Sequence, residues 1–121
     1  MSTQTNTIIN EDVKFELPKQ YALVILNNNI TPFGTVVKVL KEVFFMSESE
    51  AKNVMYAAHF KGHALCLVSS KPICDEKQTD AENYCKKMQE IEPVRHDEMM
   101  GGIWPSNYRA LRFQVIDVEQ I

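Results

Sequence analysis

The sequence predicts a small α+β domain: a three-stranded antiparallel sheet with three helices packed on one face. Three observations carry this. Apolar positions follow, in order, the periods of a strand, two helices, a strand, a helix and a strand. Residues that start or stop regular structure separate them: three consecutive Asn, a capping box and a Gly. A chain of 121 residues with 45% hydrophobic and 24% charged residues has the size and composition of one globular domain. Helices gathered on one side of a small antiparallel sheet then give every element a face to bury.

Tyr21 to Leu26 is apolar and partly β-branched, the pattern of a strand. Asn27, Asn28 and Asn29 mark a turn, because Asn side chains bond nearby backbone and tolerate left-handed conformations. Thr31 reads as a helix N-cap and Pro32 as the first helical residue. Phe33, Val36, Val37, Leu40, Val43 and Phe44 recur at three- and four-residue steps and form the apolar stripe of that helix. Ser47 and Glu50 make a capping box for a second helix, with Ala51, Val54, Met55 and Ala58 inward. Gly62 is placed to end it in a left-handed cap.

His63 to Ser69 alternates as a second strand, with Ala64, Cys66 and Val68 opposite His63, Leu65 and Leu67. A break at Lys71-Pro72 precedes a third helix from about Ile73 to Ile91, with Ala81, Tyr84, Cys85, Met88 and Ile91 inward. Glu92 to Tyr108 reads as a loop or irregular excursion, long enough to call for a purpose. Ala110 to Val118 alternates as the third strand, with Leu111, Phe113 and Val115 on one face. The expected domain is residues 20–121, with an extended loop at about 92–109. A mobile tail is expected over residues 1–19, where Val13 to Leu17 alternates too briefly for a stable strand.

The bulk chemistry excludes several classes. Net charge is −3, and Lys86-Lys87 is the only adjacent basic pair, so neither nucleic acid nor an anionic membrane is an expected partner. Cys66, Cys74 and Cys85 are odd in number and irregularly spaced, which reads as buried reduced thiols in a cytoplasmic protein. The first twelve residues lack the apolar core of a signal peptide, and no stretch reaches the ~20 apolar residues of a membrane span. His59, His63 and Cys66 lack the fourth ligand and the spacing of a structural zinc site, so no metal or other cofactor is expected. His96-Asp97-Glu98 reads as a solvated loop. No phosphate loop, Ser–His–acid arrangement or Cys nucleophile motif points to an enzyme. Trp104 either pins the excursion to the sheet or stands exposed as a partner anchor.

Two segments carry a resemblance. Leu26-Asn27-Asn28-Asn29-Ile30-Thr31-Pro32-Phe33 leaves the first strand and enters the first helix. Ala57-Ala58-His59-Phe60-Lys61-Gly62 ends the second helix. With Pro18 and Tyr21 before them and Ala64-Leu65-Cys66 after, they resemble the ClpS-type adaptors, which hand N-degron substrates to a Clp protease. The likeness runs from about Pro18 to Ile91 and resumes at Leu111 to Val115. It implies the ClpS fold and a non-enzymatic adaptor. Such a protein holds the free α-amino group of a substrate in a polar notch and its bulky first side chain in an apolar pit.

Carried over residue by residue, Asn27 and His59 would accept hydrogen bonds from the ammonium. Asn28 would offer its backbone carbonyl, with Thr31 beside them. Ile30, Phe33, Val36, Met55, Ala58 and Leu111 would wall the pit. Lys77 would dock on a Clp-type AAA+ unfoldase (ClpA- or ClpC-like), and the N-terminal tail would enter it. The expected ligands are N-terminal peptides beginning with Phe, Leu, Tyr or Trp. An α-amino group with a pKa of about 7.7–8.0 is mostly charged at neutral pH, and burying it requires acceptors.

The departures from the family pattern bear on function. Asn28 and Asn29 stand where relatives carry two Asp, Phe33 where many carry Met, and Pro72 where they carry a docking Glu. Hydrogen bonds to a charged partner are worth about 1.5–3 kcal/mol, so a lost acid in contact with the amine would weaken binding roughly ten- to a hundredfold. A second reading therefore stands beside the first: a ClpS-like module or inhibitor that docks on the unfoldase or another partner without recognising N-degrons.

Overall fold

The computed structural model describes residues 18–120. Most of the expected tail, including the alternation at Val13 to Leu17, lies outside the described residues. Strand β1 (Tyr21–Leu26) is the centre of a three-stranded sheet. It pairs antiparallel with β2 (His63–Ser69) on one side and β5 (Arg112–Asp117) on the other. Helices α1 (Phe33–Phe44), α2 (Glu48–Lys61) and α3 (Lys71–Ile91) complete the α+β domain. Leu23 and Ile25 of β1 and Phe113 of β5 meet Val36, Val37, Leu40 and Val43 of α1, Met55 and Ala58 of α2, and Ala81 and Cys85 of α3 in one core.

The caps of α2 form as expected. The Glu50 amide donates to Ser47 Oγ at 3.1 Å, and the Ser47 amide donates to Glu50 Oε1 at 3.2 Å. Gly62 takes φ 93° and closes the other end, its N–H reaching the Ala58 carbonyl. A side chain at that φ would be strained, which is why glycine sits there.

Four expectations are corrected. In α1 the N-cap position belongs to Pro32, not Thr31, and no local side chain caps the helix. In α3 the helix begins at Lys71, and Pro72 sits inside its first turn, where a missing N–H goes unmissed. Ile91 is 63% exposed. The helix has 21 residues, so it runs about 31 Å and outlasts strands of six residues that span about 20 Å. In β2 the alternation breaks at a bulge: pairing passes from Leu23–Leu67 to Val24–Leu65 and skips Cys66. Cys66 and Leu67 therefore both pack on the core, while Val68 is left exposed.

The excursion after α3 is folded. Strands β3 (Val94–His96) and β4 (Ile103–Pro105) pair as a two-stranded ribbon, followed by a 3₁₀ turn at Tyr108–Ala110. Its base is closed twice. The Ser106 amide donates to the Pro93 carbonyl at 2.9 Å, and the fully buried Tyr108 donates its hydroxyl to Glu92. Trp104 Nε1 donates to Gly101 O at 2.6 Å, so the indole ties the ribbon's own turn.

The cysteines are free. Burial pushes the thiols of Cys66 and Cys85 up to about 12 each. An unfolded thiol loses its proton near about pH 8.5, so above that pH the unfolded state binds fewer protons and stability falls as pH rises. Native protein at pH 8 is expected to react slowly with a disulfide reagent at both thiols and fully in urea. The urea midpoint is expected to drop between pH 8 and pH 10, and to drop less in Cys66→Ala. Fast labelling of the native protein would contradict the burial.

Candidate functional site

The loop after β1 and the end of α2 are joined directly. The Asn27 amide donates to the Gly62 carbonyl at 2.9 Å, so Asn27 and His59 are held at one place. Between them lies a narrow cleft of about 20 Å³, well below the roughly 300 Å³ at which ligand sites usually begin. It brings together the expected Asn27, Asn28, Thr31, His59, Phe33, Val36, Met55, Ala58 and Leu111, and adds Ile25 and Leu26. Ile30 is the exception. It is 63% exposed and stands outside the lining, so it does not wall the pit.

The floor is apolar and closed to solvent: Val36, Met55, Ala58 and Leu111 are buried. Phe33 stands at the entrance, edge-on to His59 with ring centroids 5.1 Å apart and to Tyr56 at 5.8 Å. No lining residue is Asp, Glu, Lys or Arg. A cationic group would therefore meet only neutral acceptors, namely the Asn27 amide oxygen, an imidazole nitrogen and backbone carbonyls.

Asn28 explains part of this neutrality. Its Oδ1 accepts the amides of Ile30 at 2.9 Å and Thr31 at 2.7 Å, and its Nδ2 donates to the Ala110 carbonyl at 3.3 Å. The side-chain oxygen is committed to two loop amides, which leaves the backbone carbonyl as the acceptor Asn28 can offer a cation. A carboxylate in its place would oppose the Ala110 oxygen with no proton to give.

The excursion grips this loop at further points. Thr31 Oγ1 donates to Asn107 O at 3.1 Å, which is what the residue does in place of capping α1. Asn107, held at φ 53°, donates its side-chain Nδ2 to Ile30 O at 2.6 Å. Met100 Sδ accepts the Phe33 amide at 3.3 Å. The centre of the grip is Asp97. Its Oδ2 accepts the Gly34 amide at 2.9 Å, and its Oδ1 accepts the amides of Met99 at 2.9 Å and Met100 at 3.2 Å.

Reading His96-Asp97-Glu98 as solvated is thus wrong at its middle residue, which is completely buried. Asp97 supplies the N-terminal cap of α1 from 63 residues away, with the negative charge a helix start favours. The one local sign of this was Gly34, since a Cβ there would come within 3.1 Å of the Asp97 carboxylate.

Lys77 lies away from the cleft. Its Nζ donates to the Val43 carbonyl at 2.8 Å and sits 4.6 Å from the Phe45 ring centre, closing the C-terminal end of α1. Among the described residues no cluster of three His, Cys, Asp or Glu could hold a metal ion, and no helix is long and apolar enough to cross a membrane.

The cleft is thus a narrow apolar crevice rimmed by uncharged hydrogen-bonding groups, set between the end of β1 and the end of α2. Comparison with known proteins is specific. The family model for the ATP-dependent Clp protease adaptor protein ClpS matches residues 16–96. The chain is 38% identical over 76 residues to the ATP-dependent Clp protease adapter protein ClpS of Hydrogenovibrio crunogenus, covering 63% of this chain and 73% of that one. It is 39% identical over 74 residues to ClpS 2 of Agrobacterium fabrum, covering 61% and 72%. The solved structure of Agrobacterium tumefaciens ClpS2 bound to L-phenylalaninamide superposes with a TM-score of 0.62 at 30% identity, covering 84% of this chain and 99% of that one. The chain belongs to the ClpS family of Clp protease adaptors.

The Asp97 grip gives a direct test. Asp97→Asn replaces one acceptor oxygen with a donor that faces backbone N–H groups, and is expected to cost about 2–3 kcal/mol in urea unfolding. Asn28→Asp is expected to cost about 1 kcal/mol through the lost bond to Ala110. An Asp97→Asn protein as stable as wild type would remove the capping role.

Proposed function

We propose that this chain uses the cleft to hold the N-terminal residue of a substrate protein and delivers that substrate to a Clp-type AAA+ unfoldase, without catalysis of its own. One observation carries the reading: Asn27 and His59 are fastened together at the mouth of a buried apolar pit. Acceptors for an α-ammonium would then stand beside an apolar crevice that opens to take the first side chain. A relative of the same fold holding L-phenylalaninamide, a free amine on a large apolar side chain, supports it. Asn27 and His59 accept from the ammonium, joined by the Asn28 backbone. Phe33, Val36, Met55, Ala58 and Leu111 enclose the side chain. The unfoldase is of ClpA or ClpC type, the setting is cytoplasmic, and the surface around Lys77 is where it docks.

The all-neutral lining favours a weaker hold than an acidic notch would give. It also keeps the second reading in play, a docking module that binds the unfoldase but no N-degron. One experiment separates them. Fluorescent peptides beginning with Phe, Leu, Tyr, Trp or Ala are titrated with free and with acetylated amines. Saturable binding of bulky free-amine peptides is expected, lost on acetylation and weakened roughly ten- to a hundredfold in His59→Ala. No binding up to about 1 mM by folded protein would end the N-degron reading. Unfoldase binding that persists in that case would select the docking module.

A further inference from the structure

Four rings stand in sequence beside the cleft. Phe33 at the entrance is edge-on to Tyr56 and to His59. His59 is edge-on to Phe60 at 4.9 Å, and Phe60 stacks with Tyr56 at 6.4 Å and an interplanar angle of 20°. Tyr56 and Phe60 are four residues apart on α2 and so share one side of the helix. Tyr56 is 41% exposed and Phe60 78%. The row begins inside the cleft and ends in solvent. Its outer half does nothing for the core, since neither Tyr56 nor Phe60 belongs to it or packs on it.

We propose that Tyr56 and Phe60 form a subsite for the second side chain of the bound peptide and select an apolar or aromatic residue there. The proposal rests on the reading of the cleft as an N-terminal pocket. An ammonium on His59 leaves the first Cα one bond from the nitrogen, and the second Cα follows 3.80 Å further on. The Phe60 ring lies 4.9 Å from the imidazole, so the second side chain emerges within its own length of that ring. Side chains of Leu, Phe or Trp size lose apolar surface to water against two exposed ring faces, whereas Ser does not. The occupant is fixed by continuity: the rings that would receive it touch the two residues that hold its neighbour.

The test uses four peptides identical except at position two: Phe-Ser, Phe-Ala, Phe-Leu and Phe-Trp. Each is titrated against the full chain and against Tyr56→Ala and Phe60→Ala, whose folding is checked by thermal unfolding. Leu and Trp are expected to bind about tenfold tighter than Ser. That ratio is expected to shrink to about twofold or less in Phe60→Ala, with Phe-Ser affinity nearly unchanged. Equal affinities across the four peptides in wild type would overturn the subsite and leave the pocket standing. A preference that survives both substitutions would overturn it as well. Failure of every Phe-led peptide to bind would overturn both. Loss of unfoldase binding in Phe60→Ala, with no position-two preference in wild type, would reassign the ring row to the unfoldase.

Discussion

The first turn of α1 has backbone N–H groups that its own sequence does not satisfy, and the site is organised around that need. A helix start exposes donors without intrahelical partners. Pro32 offers no side-chain cap, and the first turn contains no acid. The amides of Thr35 and Val36 turn back to the Pro32 carbonyl at 3.1 and 3.2 Å. Those of Phe33 and Gly34 are met only by Met100 and Asp97 of the excursion. Remove the excursion, and the helix that carries Phe33 and Val36 begins with bare donors beside a buried pit. The ribbon is therefore a structural part of the cleft, although no residue of the ribbon lines it.

The neutrality of the cleft follows from the same arrangement. The 27–31 loop must pass between α2 and the segment entering β5, and it does so by giving Asn28 both a donating and an accepting task. An amide side chain can do both, while a carboxylate cannot. The substitution that looks like a lost charge at the ligand site is, in the structure, a gained tether. Asn27 and His59 are fixed to each other by backbone, and the pit floor is packed core.

Much of this was legible in the sequence because it is local. The capping box at Ser47, the left-handed end at Gly62 and the stripes of α1 and α2 are written in residues three or four apart. Of the residues the resemblance implied for the site, Asn27, Asn28, Thr31, Phe33, Ala58 and His59 sit in two short segments and Val36, Met55 and Leu111 outside them; all nine line the cleft, and Ile30 does not. What escaped depends on long-range partners. Thr31 looks like a cap until Asn107 claims its hydroxyl, and Asp97 looks solvated until Gly34 makes room for it. The bulge at Cys66 shifts side chains between faces without disturbing the residue pattern that predicted the strand.

The distances along the chain between these partners have a kinetic meaning. The bonds that shape the 28–34 loop reach to residues 63 to 82 positions later. Closing loops of that length is slow compared with winding a helix, and cannot begin until the later residues exist. A chain emerging from the ribosome can form α1 and α2 early, yet it holds an unfinished pocket until β5 is in place. Binding competence is thus acquired last, together with the closing strand of the sheet.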